Sequence, residues 1–273
     1  MIYYINCRIN LNYKKIMKRK KILSALVVAH NEEKKLSSCL QKLLKADEIV
    51  VILDKTTDAS INIAAKYTTK VFQGEWNMEG DRRNFGLGKC KGDWILEIDA
   101  DEHVPEKLFK EIRQVIQNCK PGYFLIPFDN YVGKRRIRYG WGASWGVSAA
   151  PRLSYKGYKV WNNNQKIHPS LELKGNKYWL KNRIAHYVDD NINDMFYRLI
   201  RYSDAKAIDL INEKKKIPSF WITLRRGITR FFKCYVSRKG YKEGKWGFII
   251  ALMAFLFIII SYAKAELEKT KIN

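Results

Sequence analysis

The chain has 273 residues, 47% of them hydrophobic, and a formal charge of +24. Such a length and apolar content support one full-sized domain with an appendage and exclude a disordered polymer. The charge invites a nucleic-acid reading, but residues 1–21 and 214–245 carry 17 of the 24 charges. The remaining core is only mildly basic and holds no recognised DNA or RNA motif, so no nucleic-acid partner is expected.

The five cysteines, Cys7, Cys39, Cys90, Cys119 and Cys234, are scattered and nowhere spaced C-x-x-C. That pattern predicts neither a disulfide framework nor a zinc site, and fits a reducing, cytosolic setting. "MIYYINCRINLNYKKIMKRKK" lacks the apolar core and small-residue cleavage site of a secretory signal. Residues 1–20 are read as an unstructured basic extension, with Met17 as the natural start.

From residue 22 the pattern alternates. "ILSALVV" (22–28) is a strand, and Leu36, Cys39, Leu40, Leu43 and Leu44 then recur at helical spacing behind Asn31, which is expected to cap that helix. "EIVVIL" (48–53) predicts a second strand, "DASINIAAKY" (58–67) a helix beginning near Asp58, and "KVFQ" (70–73) a third strand. "DRRNFGLGKC" (81–90) reads as a helix feeding a fourth strand, "WILEID", after which Pro105 opens another helix at its first position. Strands alternating with helices predict a mostly parallel sheet covered on both faces, with its ligand at the carboxyl ends of the strands.

The polar residues gather at those ends. His30, Asn31 and Glu32 follow strand one, Asp54 follows strand two, and Asp99 and Asp101 follow strand four. In an extended chain side chains two apart point the same way, so this D-x-D pair is expected to share one small volume. Two carboxylates that close call for a cation, and hard oxygen ligands suit Mg²⁺ or Mn²⁺ beside a substrate diphosphate.

Beyond residue 120 the texture changes to "YFLIPFDNYVGKRRIRYGWG", a hairpin turning at Gly133 that leads into an aromatic lobe. Trp141, Trp145 and Trp161 there are candidates to face sugars, or else to pack in the core. Residues 191–215 predict an amphipathic helix with Ile192, Met195, Phe196, Leu199, Ile200 and Tyr202 inward. "WGFIIALMAFLFIIISYA" (246–263) then runs 18 residues without a charge, at the lower end of the roughly 17–25 residues that span a bilayer.

Together, "SALVVAHNEEKKLSSCLQKL", "DKTTDAS", "EGDRRNFGLGKCKGDWILEIDADEHV" and "KGYKEGKWGFIIALMAFLFIIISYAKAELEK" resemble the family 2 glycosyltransferases of GT-A fold, in the lipopolysaccharide core glucosyltransferase branch. The likeness spans roughly residues 21–268. It implies a catalytic domain over 21–215, with 216–273 a membrane-associating helical region. It implies a nucleotide-sugar site in which Asp54 bonds the uracil of a UDP-sugar and Ala29 and His30 lie along the base and ribose. Asn31 and Glu32 match the Asn–Glu pair after strand one. Arg83 reaches over the nucleotide, Asp99 approaches the ribose and shares the metal, and Asp101 holds the divalent ion. His186 is a further candidate metal ligand, since a neutral imidazole suits Mn²⁺.

Three departures from the family pattern stand out. Glu97 lies inside an apolar strand and must find a cationic partner or protrude. Lys55 stands where the family favours a small or acidic residue. In "NQKIHPSLELKG" (164–175), Pro169 follows His168 where a glutamate is expected. The general base is therefore sought in Glu172, four residues past His168, or in Asp129.

The implied activity is an inverting, metal-dependent transfer of a sugar, from a UDP-hexose such as UDP-glucose, to a lipid-linked glycan. Residues 217–263, basic and aromatic up to Lys245 and apolar beyond it, imply attachment to an anionic membrane surface, at the cytoplasmic face of a bacterial inner membrane. The lost glutamate leaves one alternative, a membrane-tethered binding protein with a decayed transferase fold; a nucleic-acid module is the more distant one.

Overall fold

The computed structural model describes residues 19–141, 147–162, 170–212 and 217–272. Strands β1 (Leu23–Ala29), β2 (Glu48–Asp54), β3 (Val71–Gly74) and β4 (Trp94–Asp99) run parallel in the spatial order β3-β2-β1-β4. They alternate with helices α1 (Leu36–Leu43), α2 (Ser60–Ala65), α3 (Glu79–Lys89) and, after the two-residue β5 (Glu102–His103), α4 (Glu106–Asn118). β1 and β2 are buried along their whole length and mostly apolar, because both of their faces are covered. On one side Leu36, Leu40, Leu108 and Ile112 pack on Ala25, Val27 and Val51. On the other, Leu87 of α3 joins Leu26, Val50 and Ile52.

After α4 the sheet becomes mixed, with β6 (Gly122–Val132), β7 (Arg135–Ile137), β8 (Ala149–Tyr155), β9 (Lys159–Trp161), β10 (Leu171–Leu173), β11 (Asn176–Trp179) and β12 (Ile184–Asp189). β8 lies antiparallel between β4 and β6, β12 runs parallel to β6, and β5 closes antiparallel on β12. This is the Rossmann-like α/β sheet of the GT-A fold. The turn between β6 and β7 falls at Gly133, whose φ of +55° suits glycine. Among the described residues, Cys39, Cys90, Cys119 and Cys234 form no disulfide.

Several local expectations are corrected. Asn31 does not cap α1: it sits at φ +51°, and its Oδ1 accepts from the Thr57 amide at 2.8 Å instead. Pro105 precedes α4 with ψ 153°, so the helix opens one residue later, at Glu106. Trp141 is core, donating its indole N–H to the Ile137 carbonyl at 2.7 Å. Trp145, His168, Pro169 and Met17 lie outside the described residues.

The C-terminal helices are α5 (Ile192–Asn212), α6 (Phe220–Phe232) and α7 (Lys245–Ile272). α5 buries the i, i+4 row Met195, Leu199, Ser203, whereas Ile192, Phe196 and Ile200 face outward, contrary to the wider inward face expected. α7 seats Ile250 and Met253 on Val132, Ile137, Val188 and the buried residues of α5. The tail motif "KGYKEGKWG" makes this docking. Buried Glu243 accepts from the Arg138 amide at 2.7 Å, and a Cβ on Gly247 would stand 1.8 Å from the Gly240 carbonyl oxygen. Among the described residues α7 is the one helix long and apolar enough, by length and composition, to cross a membrane.

Candidate functional site

The loops after β1 and β2 are clamped to each other by side chains of residues 30–33 and 54–60. The His30 Nδ1–H donates to the Asp54 carbonyl at 2.7 Å, the Ser60 hydroxyl accepts from the Glu32 amide at 3.1 Å, and Asp58 accepts from the amides of Glu33 and Ser60, both at 3.0 Å. Lys55, at φ +48°, occupies left-handed backbone between these clamps, which gives the preference for a small residue there a conformational cause. Asp54 is buried; its Oδ1 accepts from the Trp76 amide at 3.0 Å and its Oδ2 from Arg82 at 2.9 Å. A carboxylate has about four acceptor positions, so those two bonds leave capacity for a ligand donor.

Across β1, whose Val28 is paired with both Ile52 and Asp99, lies the second cluster. Glu97 does find partners: it is 1% exposed and meets Arg83 at 2.7 Å, Lys159 at 3.0 Å and the Trp161 indole N–H at 3.3 Å. Burial pushes its carboxyl up, but Lys159, Arg83 and Arg152 outweigh it and lower the pKa to about 2. Arg83 also pairs with Glu79 and, at 3.1 Å, with Asp99, and it stacks on Trp161 at 4.9 Å. Arg152 pairs with both Asp99 and Glu102.

The chain turns at Ala100 and Asp101, so strand alternation ends at Asp99 and the D-x-D carboxylates part company. Asp99 goes to the two arginines. Asp101 faces the His186 Nε2 at 3.5 Å, and a ligand atom each from Asp101, Glu102 and His186 falls within 4.8 Å of the others. Pairing of His186 with Glu102 across β12 and β5, locked by the Tyr187 amide donating to the Asp101 carbonyl at 2.9 Å, builds this triangle. The Asn130 amide nitrogen donates to the Val147 carbonyl at 2.9 Å, so its oxygen faces His186 Nδ1, also at 2.9 Å. Nδ1 then carries the proton, which leaves the Nε2 lone pair towards Asp101. Burial lifts the Asp101 carboxyl, but the doubly protonated, charged form of His186, which can donate from Nε2 as well, brings its net pKa down; burial lowers the His186 pKa, and Asp101, by favouring that charged form, brings it net upward. Burial drives Glu102 well above the usual carboxylate range. Carboxylate oxygens with one imidazole are a donor set that suits Mn²⁺ or Mg²⁺.

The triangle therefore includes Glu102, which the sequence reading omitted, and leaves out Asp99. Neither carboxylate expected to be the base is brought to it. On β6, Asp129 neighbours Asn130 in sequence and so points to the opposite face of the strand, where it pairs with Arg136 at 2.6 Å. Glu172 is exposed on the β9–β10 hairpin, 3.4 Å from Lys174. Arg152 and Lys159, which neutralise the cluster, were also missed, since lone cations on strands carry no spacing signal; Trp161, a candidate to face a sugar or pack, walls the cluster against Arg83 and Lys159.

Residues 24–170, more than half of the chain, match the model of the family described as Glycosyl transferase family 2. The chain is 25% identical over 260 residues to an uncharacterized glycosyltransferase of Rickettsia felis, covering 91% of this chain and 92% of that one. It is 24% identical over 255 residues to the lipopolysaccharide core biosynthesis glycosyltransferase LpsC of Rhizobium meliloti, covering 89% and 91%. The crystal structure of Staphylococcus aureus TarS superposes with a TM-score of 0.50 at 16% identity, over 90% of this chain and 55% of that chain, a likeness of fold. On the family match, the chain belongs to glycosyl transferase family 2.

Proposed function

We propose that the protein is an inverting, metal-dependent hexosyltransferase that moves a sugar from a UDP-hexose to a lipid-linked saccharide, of lipopolysaccharide core or another cell-surface glycan, at the cytoplasmic face of the inner membrane. The observation that carries this reading is the triangle of Asp101, Glu102 and His186 beside the β4 end, with only β1 between it and the β2 end that carries Asp54. Asp101, Glu102 and His186 would hold Mg²⁺ or Mn²⁺, which would offset the charge of the diphosphate as UDP departs. Asp54 receives a uracil N–H, and Ala29 and His30 line the nucleoside. Arg83 and Arg152 hold Asp99 ionised for the ribose; burial opposes this, but the two guanidinium charges outweigh it.

In the transfer, the acceptor oxygen bonds to the anomeric carbon from the face opposite UDP, the bond to the UDP oxygen breaks, and the acceptor proton passes to a base. The geometry of Glu172 and Asp129 leads us to expect that Glu172→Gln and Asp129→Asn each leave transfer largely intact. A loss of turnover with UDP binding spared would return the role to the residue changed.

The resemblance to LpsC supports a core-saccharide acceptor. The test is transfer from a panel of labelled nucleotide sugars to a truncated lipopolysaccharide acceptor, with NMR of the new anomeric centre. A product of inverted configuration from a UDP-hexose supports the proposal. UDP binding without transfer from any donor would instead favour a binding protein that keeps the fold.

Two further outcomes test the residue roles. Asp54→Ala is expected to weaken uridine nucleotides about 10- to 100-fold, the worth of a hydrogen bond to a charged group, with metal dependence intact. Equal loss for every nucleotide, read by competition binding, would make Asp54 purely structural. Asn130→Ala frees the His186 ring and is expected to lower Mn²⁺ affinity about 10- to 100-fold, as changes behind a metal ligand do. Unchanged affinity in a Mn²⁺ titration followed by electron paramagnetic resonance would remove that role.

A further inference from the structure

The geometry points to a C-terminal helical hairpin that lies flat in an anionic membrane leaflet, with α7 buried along its length rather than spanning. This inference deepens the membrane placement proposed above and rests on that part of the reading, not on the donor chemistry.

α6 and α7 pack antiparallel. Phe231 meets Phe248 with ring centres 5.6 Å apart, Cys234 meets Ala251 and Ala254, and, further back along α6, Gly227 lies against Phe255 and Ile259. Gly227 thus sits beside the middle of the apolar run. Its neighbours Arg225 and Arg226, with Arg230 and Lys233, line a groove of about 460 Å³ closed by Ile258 of α7. None of these four cations has an ion-pair partner among the described residues. Were α7 to cross a bilayer, α6 would be carried in beside it, and unpaired arginines would stand near mid-depth, where charge is least tolerated. The opposite flank of α7 is held as firmly. Ile250 and Met253 are seated on the catalytic domain, and the Lys264 ammonium bonds Asp204 at 2.6 Å and Ser203 at 2.8 Å on α5. A spanning α7 would have to leave both.

Lying flat resolves the conflict. At 100° per residue, α6 has three sides. Thr223, Gly227 and Cys234 just beyond it face α7; Arg226, Arg230 and Lys233 form a basic flank; Trp221, Ile228 and Phe232 form an exposed apolar flank. The Phe255 and Ile259 contacts put that apolar flank on the side of α7 that exposes Phe248 and Leu252. Aromatic and aliphatic side chains can then enter the acyl boundary while the cations meet lipid phosphates. That division is the composition of an interfacial helix and complements an anionic surface.

The test uses the full chain. Added to vesicles, it is expected to float with phosphatidylcholine containing phosphatidylglycerol, to stay largely unbound with phosphatidylcholine alone, and to be released by alkaline carbonate. The combined variant Arg225→Glu, Arg226→Glu, Arg230→Glu is expected to lower partition at least tenfold. Trp221→Ser with Phe232→Ser is expected to weaken it while leaving the cations in place. In bacterial spheroplasts, N- and C-terminal tags are expected to share protection from added protease. Cleavage of one tag alone, resistance to carbonate, or equal binding to neutral vesicles would overturn the inference. UDP binding in solution is measured in parallel and should be unchanged in the α6 variants. A chain that floats as expected but binds no UDP would end the transferase reading and leave the membrane inference standing.

Discussion

Asp101→Ala is expected to lower sugar transfer by about 10²–10³-fold, the range seen when one electrostatic contact to a developing charge is removed. Asp101 faces the His186 ring nitrogen and is the ionised carboxylate of the triangle, whereas burial holds Glu102 towards its protonated form. Without Asp101, only His186 and Glu102 remain of the triangle, one donor too few to hold a hard cation firmly. The loss should appear as a failure of Mn²⁺ to promote UDP-sugar binding, with the folded state intact, because Asp101 is partly exposed. Unchanged UDP-sugar affinity in Mn²⁺ would move the ion elsewhere.

Glu97→Gln carries the largest expected effect on stability, a loss of about 3–5 kcal/mol, the range for breaking a buried ion pair from one side. The carboxylate is 1% exposed and offsets Lys159, itself 2% exposed, together with Arg83 and, more distantly at 3.8 Å, Arg152. Neutralising it leaves those cations buried with less compensation, and it unties β9 from β4 and α3. Urea denaturation measures the effect. A change below about 1 kcal/mol, the scale of exposed pairs, would mean that water reaches the cluster and screens it.

The parallel half of the sheet was legible because its strands are short apolar runs between helical repeats, and both signals are local. The Asp54 and Asp101 positions followed from the same fact, since a strand end is visible wherever an apolar run meets a polar loop. What was not legible depended on distant partners. The D-x-D pair looked like one ligand pair because alternation was carried one turn too far; Asp99 is instead held by Arg152, 53 residues away. Glu102 was missed for the same reason: alternation would aim it away from Asp101, and only pairing of β5 with β12 turns it in. α7 shows the limit of reading a tail by hydrophobicity. Its charge-free run has the length to span a bilayer, yet α5 and α6 cover two of its sides, and only the fold shows that α6 brings arginines with it.

The most direct measurement of the central claim is calorimetric titration of the wild-type protein with UDP, in Mn²⁺ and again in excess EDTA. The account predicts binding with the ion and its loss with the chelator, restored by added Mn²⁺ or Mg²⁺. Equal UDP affinity in EDTA, or no UDP binding in either buffer, would contradict it.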